Sequence, residues 1–130
     1  MIVLDASAMV EALVGFAPSD ELLDLLEEDI HAPHLLDVEV TSVLRGLELG
    51  RALTRERGQR ALDDYWSFAI ERHELEPLSM TIWGLRHQFT SYDAAYVALA
   101  EALGCPLVTC DRKLKTNGHR AEIRLMPRTS

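Results

Sequence analysis

The chain has 130 residues, of which 48% are hydrophobic and 26% charged, and a formal net charge of -8. That length suits one domain with a real core, residues 1-130, and the composition excludes a disordered or low-complexity chain. The one candidate for a leader or membrane span, MIVLDASAMV, is interrupted by Asp5 and Glu11 and has no preceding basic residue, so a cytoplasmic protein with no membrane segment is expected.

Met1 to Leu4 is a short, wholly apolar run with the character of a central strand, and Asp5 stands at its carboxyl end. Ser7 or Asp5 can cap the helix that follows, in which Met9, Val10, Leu13 and Val14 form one stripe ending at Gly15. Pro18 and Ser19 announce a second helix with Asp20 and Glu21 in its first turn and Leu22, Leu23, Leu25 and Leu26 as its buried side. Ile30 to Ala32 reads as a strand. Pro33 is expected to open a helix running to Gly50, with Leu36, Val40, Val43, Leu44 and Leu47 on one stripe. Glu39 falls inside that stripe, where a carboxylate is costly unless its charge is compensated, while Asp37 reads as surface.

Thr54 starts a helix expected to reach Ile70, and His73 to Leu78 reads as a strand closed by Pro77. Ser79 is taken as the cap of a helix through His87. Tyr92 to Leu103 is apolar nearly all round and is expected to be buried, with Asp93 in its first turn and Gly104 at its end. Pro106 to Thr109 is a further apolar strand that stops on Cys110 and Asp111, and a last strand is expected near Glu122 to Met126. Cys105 and Cys110 bracket that strand too far apart to pair and read as plain thiols. The five histidines show no ligand spacing, and Trp66, Trp83 and Tyr92 are expected in the core. Strands and helices alternating at this spacing imply an α/β fold, a parallel sheet with helices on both faces.

Charge is unevenly distributed. Residues 1-44 hold ten carboxylates and no Lys or Arg, whereas residues 105-130 hold Arg112, Lys113, Lys115, Arg120, Arg124 and Arg128 against only Asp111 and Glu122. Arg45, Arg51, Arg55, Arg57 and Arg60 make a second basic stretch. Singly, Asp5, Asp93 and Asp111 read as caps or turn residues. Together with Glu39 they predict convergence, because the carboxyl ends of parallel strands and the N-termini of the following helices face one rim. Four ionised carboxylates there repel unless a cation neutralises them, and hard divalent ions, Mg²⁺ or Mn²⁺, suit oxygen ligands.

Asp5 with Ser7 in LDAS, Glu39 in PHLLDVEVTSVL (Pro33 to Leu44), Asp93 in TSYDAAYVALA, and Thr109 with Asp111 in LVTCD resemble the successive motifs of PIN-domain ribonucleases. Within these the pattern is most similar to the VapC toxins of toxin-antitoxin modules. The resemblance implies a PIN-like, three-layer α/β/α fold and a metal-dependent endoribonuclease that hydrolyses RNA as the toxin of a type II pair. It implies that Asp5, Glu39, Asp93 and Asp111 hold Mg²⁺ or Mn²⁺, with Asp5 and Asp93 as direct ligands and Glu39 and Asp111 acting through water. Ser7 and Thr109 match supporting hydroxyls. The implied partners are RNA, a small cognate antitoxin and a second copy in a homodimer; the acidic N-terminal third and Leu22 to Leu26 suggest where a basic amphipathic antitoxin segment docks. The chain departs from the family at Ser42, where Asn is frequent, and at Leu114, where an aromatic is frequent. Competing readings are a catalytically inactive PIN-fold binding protein and a Mg²⁺-dependent, receiver-like phosphoacceptor domain. The second needs paired acids at the first strand end, and an aspartyl phosphatase needs Asp-x-Asp where Asp5-Ala6-Ser7 stands.

Overall fold

The computed structural model describes residues 1-129. Five short strands, β1 (Ile2–Leu4), β2 (Ile30–Pro33), β3 (Ile70–His73), β4 (Leu107–Thr109) and β5 (Ile123–Leu125), form one sheet in the order β3-β2-β1-β4-β5. Every pairing is parallel. β1 is central because Ile2, Val3 and Leu4 offer no polar side chain to water, and all three are fully buried. The helices are α1 (Ala6–Val14), α2 (Asp20–Leu25), α3 (Leu35–Leu49), α4 (Arg55–Ser67), α5 (Ser79–Gly84) and α6 (Ser91–Leu103).

α1, α3 and α4 pack against one another, and α5 packs against α6. Right-handed crossovers place the two groups on opposite faces, giving a three-layer α/β/α domain. The strand order reverses between β1 and β4: the chain leaves β1 toward β2 and β3, then returns to β4 on the other side. That reversal opens a crevice at the carboxyl ends of β1 and β4. α6, with Ala94 to Ala100 buried without interruption, closes the opposite layer against β1 and β2. Gly104 ends it in the left-handed conformation, φ 64°, as its position predicts.

Several boundaries differ from the sequence reading. Pro33 ends β2 and does not open a helix; its ring suits a strand end, and α3 begins at Leu35 with His34 making no side-chain cap. α4 stops at Ser67, freeing Ile70 to begin β3, so the expected strand from His73 to Leu78 is replaced by β3 and a 3₁₀ turn at Glu76–Leu78. Ser79 is the first residue of α5, not its cap, because that turn runs directly into the helix. Trp66, Trp83 and Tyr92 are 54%, 64% and 64% exposed and so are not core residues. Trp66 instead lies under the Arg72 guanidinium, 5.4 Å from ring centre to carbon. Both cysteines are free, as expected.

Two local features fix the edges of the α1 layer. Glu11, on α1, is buried and accepts hydrogen bonds from the Thr129 amide (3.0 Å) and the Thr129 hydroxyl, tying the C-terminal segment down. Gly15 makes room for that carboxylate: a Cβ there would lie 2.3 Å from Glu11 Oε2. At the end of α3, Gly50 keeps φ at -81° and Arg51 takes the left-handed turn at φ 63°. The amides of Ala52 and Leu53 then both return to the Leu47 carbonyl, 2.8 and 3.1 Å away, and seat Leu53 in the core.

A side chain with a Cβ at φ 63° costs about 1–2 kcal/mol, of which glycine's extra unfolded-state freedom takes back about half. Arg51→Gly is therefore expected to stabilise the fold by about 0.5–1 kcal/mol, read from the urea midpoint at unchanged slope. A midpoint equal to or below that of the parent contradicts the strain.

Candidate active site

β1 delivers Asp5 to the crevice, and its carboxylate is 6% exposed. The residue is both cap and rim acid: Oδ1 accepts from the Ala8 amide (3.0 Å) and the Ser7 hydroxyl (2.7 Å), and Oδ2 accepts from the Thr109 hydroxyl (2.5 Å). The two hydroxyls are themselves fixed, since Ser7 Oγ accepts from the Cys110 amide and Thr109 Oγ1 from the Asp111 amide, each at 2.9 Å. Each hydroxyl has one proton and gives it to Asp5, so the 3.2 Å approach of Ser7 Oγ to Thr109 Oγ1 is a packing contact between two oriented oxygens. Ser7 and Thr109 thus stand where the sequence motifs put them, locking one carboxylate across β1 and β4.

Asp111 follows β4, and its Oδ1 caps the Arg112–Leu114 turn through the Lys113 amide at 3.0 Å. Lys113 Nζ lies 3.8 Å from Asp111 Oδ2 on an open surface. Asp93 sits in the first turn of α6, whose cap is Thr90. Glu39, in the second turn of α3, is half-buried, and its Oε1 accepts a 2.5 Å hydrogen bond from the Tyr96 hydroxyl.

The four carboxylates act on one another. Burial raises the Asp5 carboxyl above its ordinary value of 3.8, its three hydrogen bonds oppose the rise, and the charge of Asp111 adds to it. Burial also raises Glu39, with Asp5 and Asp93 adding and Tyr96 opposing. Asp93 is raised by burial and by Asp111, against the nearby Lys113 charge and the Thr90 hydroxyl. Among the described residues, no three of these acids bring oxygens within 4.8 Å of one another. The donor set is all oxygen, strongly anionic and partly sealed from water, which fits a hard divalent cation.

Sequence reading missed Tyr96. Its signal was present: it lies three residues after Asp93, on the same face of α6, but its neighbours made it look like core. Burial and Glu39 hold its hydroxyl protonated, so it serves as a donor. Asp37 is not a surface residue. Arg72 Nε reaches both its oxygens at 2.9 Å and the Tyr65 hydroxyl reaches Oδ1 at 2.5 Å, which ties the first turn of α3 to β3 and α4. Glu39 rides on that anchored turn.

Acids drawn from four stretches of chain lie at the strand-order reversal of a parallel α/β sheet, and the family model of the PIN domain matches residues 2-119. The chain belongs to the PIN-domain family, and within it to the VapC ribonucleases. It is 41% identical over 129 residues to ribonuclease VapC9 of Mycobacterium tuberculosis, covering 98% of this chain and 100% of that one. With ribonuclease VapC1 of the same organism it shares 44% identity, covering 95% and 96%. The fold is also that of the crystal structure of VapBC2 from Rickettsia felis bound to a promoter DNA fragment, with TM-score 0.71, 19% identity and coverage of 97% and 99%.

The raised carboxyls fix the sign of a pH effect. Between the ordinary carboxylate values and the raised folded ones, the folded chain holds protons that the unfolded chain has released. Stability of the metal-free protein therefore rises as pH falls from neutral toward the ordinary values of 3.8 and 4.5. In chelator at neutral pH, Asp93→Asn is expected to melt above the parent, and the advantage should vanish near pH 4. A variant that melts below the parent at neutral pH contradicts mutual repulsion.

Proposed function

We propose that this chain cleaves RNA at the Asp5, Glu39, Asp93 and Asp111 rim as the toxin of a type II toxin-antitoxin pair in the cytoplasm. Asp5 and Asp93 are the direct ligands of Mg²⁺ or Mn²⁺, and Glu39 and Asp111 act through water. The observation that carries this reading is the mutual charge of four carboxylates, drawn from four separate stretches of chain, at one crevice. Bound there, a divalent ion supplies positive charge against a phosphodiester and acidifies an attacking water.

The chain's own residues do the positioning. Ser7, Thr109 and the Ala8 amide hold Asp5 in a single orientation before any ligand arrives, so no reorganisation is needed at the moment of reaction. Tyr96 donates to Glu39 Oε1 and so holds that carboxylate in place. Lys113, held near Asp111, and the exposed Arg112 and Lys115 offer cations to the phosphates that flank the scissile bond.

Among the early helices, α1 offers an antitoxin more apolar surface than α2 does. Leu22 and Leu25 are buried and Leu23 is the one widely exposed leucine of that helix, so α2 offers little apolar surface to a partner. A groove of about 690 Å³ instead runs from Ser7 along α1, lined by Val10, Val14, Phe16, Val43, Leu47 and Leu53. Phe16 is 84% exposed on its lip. An apolar antitoxin segment laid there would carry a basic side chain to the rim and neutralise the acids. Met80 and Trp83 on α5 and Tyr92 at the start of α6 are exposed large side chains that a homodimer contact would cover. A lone chain that scatters light as a monomer at tens of micromolar contradicts the dimer.

Asp5→Asn and Asp93→Asn are each expected to lower RNA cleavage in Mg²⁺ or Mn²⁺ by about a hundredfold or more, while circular dichroism shows the fold intact. Co-expression of the neighbouring short reading frame should silence the parent. Parental turnover by either variant contradicts the assignment of the rim. Cleavage unaffected by the co-expressed neighbour leaves the nuclease and removes the antitoxin.

A further inference from the structure

β2 and β3 bring together residues that lie far apart in sequence and that the chain's scattered histidines did not advertise. In the parallel register His31 stands opposite Glu71, and His73, two residues further along β3, shares the face of Glu71. His31 Nδ1 lies 2.8 Å from His73 Nε2 and 3.6 Å from Glu71 Oε2. One ligand atom from each of the three lies within 4.8 Å of the others.

The buried member is already oriented. His31 is 5% exposed, and its Nε2 faces Asp29 Oδ2 at 3.0 Å. A carboxylate there accepts the Nε2 proton, which leaves the Nδ1 lone pair directed at His73 and Glu71. This is the carboxylate–imidazole arrangement that fixes the tautomer of metal-binding histidines. Asp29 is itself pinned, because its carbonyl accepts from the Ile2 amide at the start of β1. Glu71 is exposed and His73 half-buried, so an ion can enter from solvent while its deepest ligand stays fixed.

We propose that His31, Glu71 and His73 form a second metal site, separate from the carboxylate rim, that takes a borderline transition ion of the Zn²⁺ class. Two imidazole nitrogens and a carboxylate oxygen, with a fourth position left to water, are the donor set of open three-ligand zinc sites; Mg²⁺ and Mn²⁺ favour the all-oxygen rim. Without an ion, His73 Nε2 donates its proton to His31 Nδ1. Loading shifts that proton to His73 Nδ1, so that Nε2 is free to ligate, and spreads the two nitrogens from 2.8 Å to about 3.3 Å, the separation set by zinc–nitrogen bonds in a tetrahedron. His73 can make this adjustment because it ends the edge strand. The site staples edge strand β3 to β2, and β3 also carries the Arg72 that holds Asp37 at the start of α3. The charges that act on Asp5, Glu39 and Asp93 come from one another, Asp111 and Lys113, with no contribution from this cluster.

The test is a Co²⁺ titration of tag-free protein followed by visible absorption, in the parent and in an Asp5→Asn, Asp93→Asn chain whose rim is disabled. Both are expected to develop the d–d bands of a four- or five-coordinate ion at one equivalent, bleached by Zn²⁺ and untouched by excess Mg²⁺. His73→Ala should remove the bands. Asp29→Asn should weaken binding by about 10–100-fold, because it leaves the ligands in place and removes only the group that orients His31. Glu71→Gln, at an exposed position where folding is not at stake, should weaken it about tenfold or more. Absence of bands in the parent, or bands of undiminished affinity in Glu71→Gln and His73→Ala, overturns the site. Neither result bears on the rim, which the nuclease assay tests separately.

Discussion

A carboxylate sealed at the end of the central strand is the constraint around which the molecule is arranged. Asp5 is 6% exposed, and an uncompensated charge so placed would be costly. The compensation comes from two pieces of chain: the first turn of α1, through the Ala8 amide and the Ser7 hydroxyl, and β4, through the Thr109 hydroxyl. Those bonds require β1 and β4 to be neighbours in the observed register, with the Asp5 amide on the Val108 carbonyl at 3.2 Å. Strand order, helix cap and active-site geometry are therefore one set of interactions.

The remaining acids are placed by the ends of elements. Asp111 caps a turn after β4, Asp93 occupies the first turn of α6, and Glu39 follows an α3 turn that Arg72 and Tyr65 anchor through Asp37. Each has a local structural use, which is how a fold can keep four like charges close at modest cost. What local uses do not remove is the burial, and with it the neighbouring like charge, that raises the carboxyls of Asp5, Glu39 and Asp93. A divalent cation bound at the rim, as proposed, would offset that cost and tie the stability of the protein to its chemistry.

The parallel α/β layout was legible in the sequence, and so was the placing of Asp5 and Asp111 at strand ends and of Asp93 in a first helical turn, because apolar runs ending on Asp and helix starts carrying acids are periodic, local signals. The losses have physical reasons. Tyr96 was hidden by a helix that is apolar on nearly every side, and only the approach of Glu39 from α3 reveals its hydroxyl as a donor. Asp37 looked solvated because its partner, Arg72, lies 35 residues away on an edge strand. His31 and His73 meet only through β2–β3 register, which no local pattern encodes. Pro33 and Ser79 misled in the opposite direction: both are strong helix-start signals, overridden by a strand end and by a turn that feeds directly into α5.

If burial and like charge raise the rim carboxyls, then a cation bound there must expel protons from them. Calorimetric titration of Mn²⁺ in two buffers of different ionisation enthalpy counts those protons directly. The account predicts a net release that grows as pH is lowered from about 7.5 to about 5.5 and that shrinks in Asp93→Asn. Binding heats that are the same in both buffers across this range contradict it.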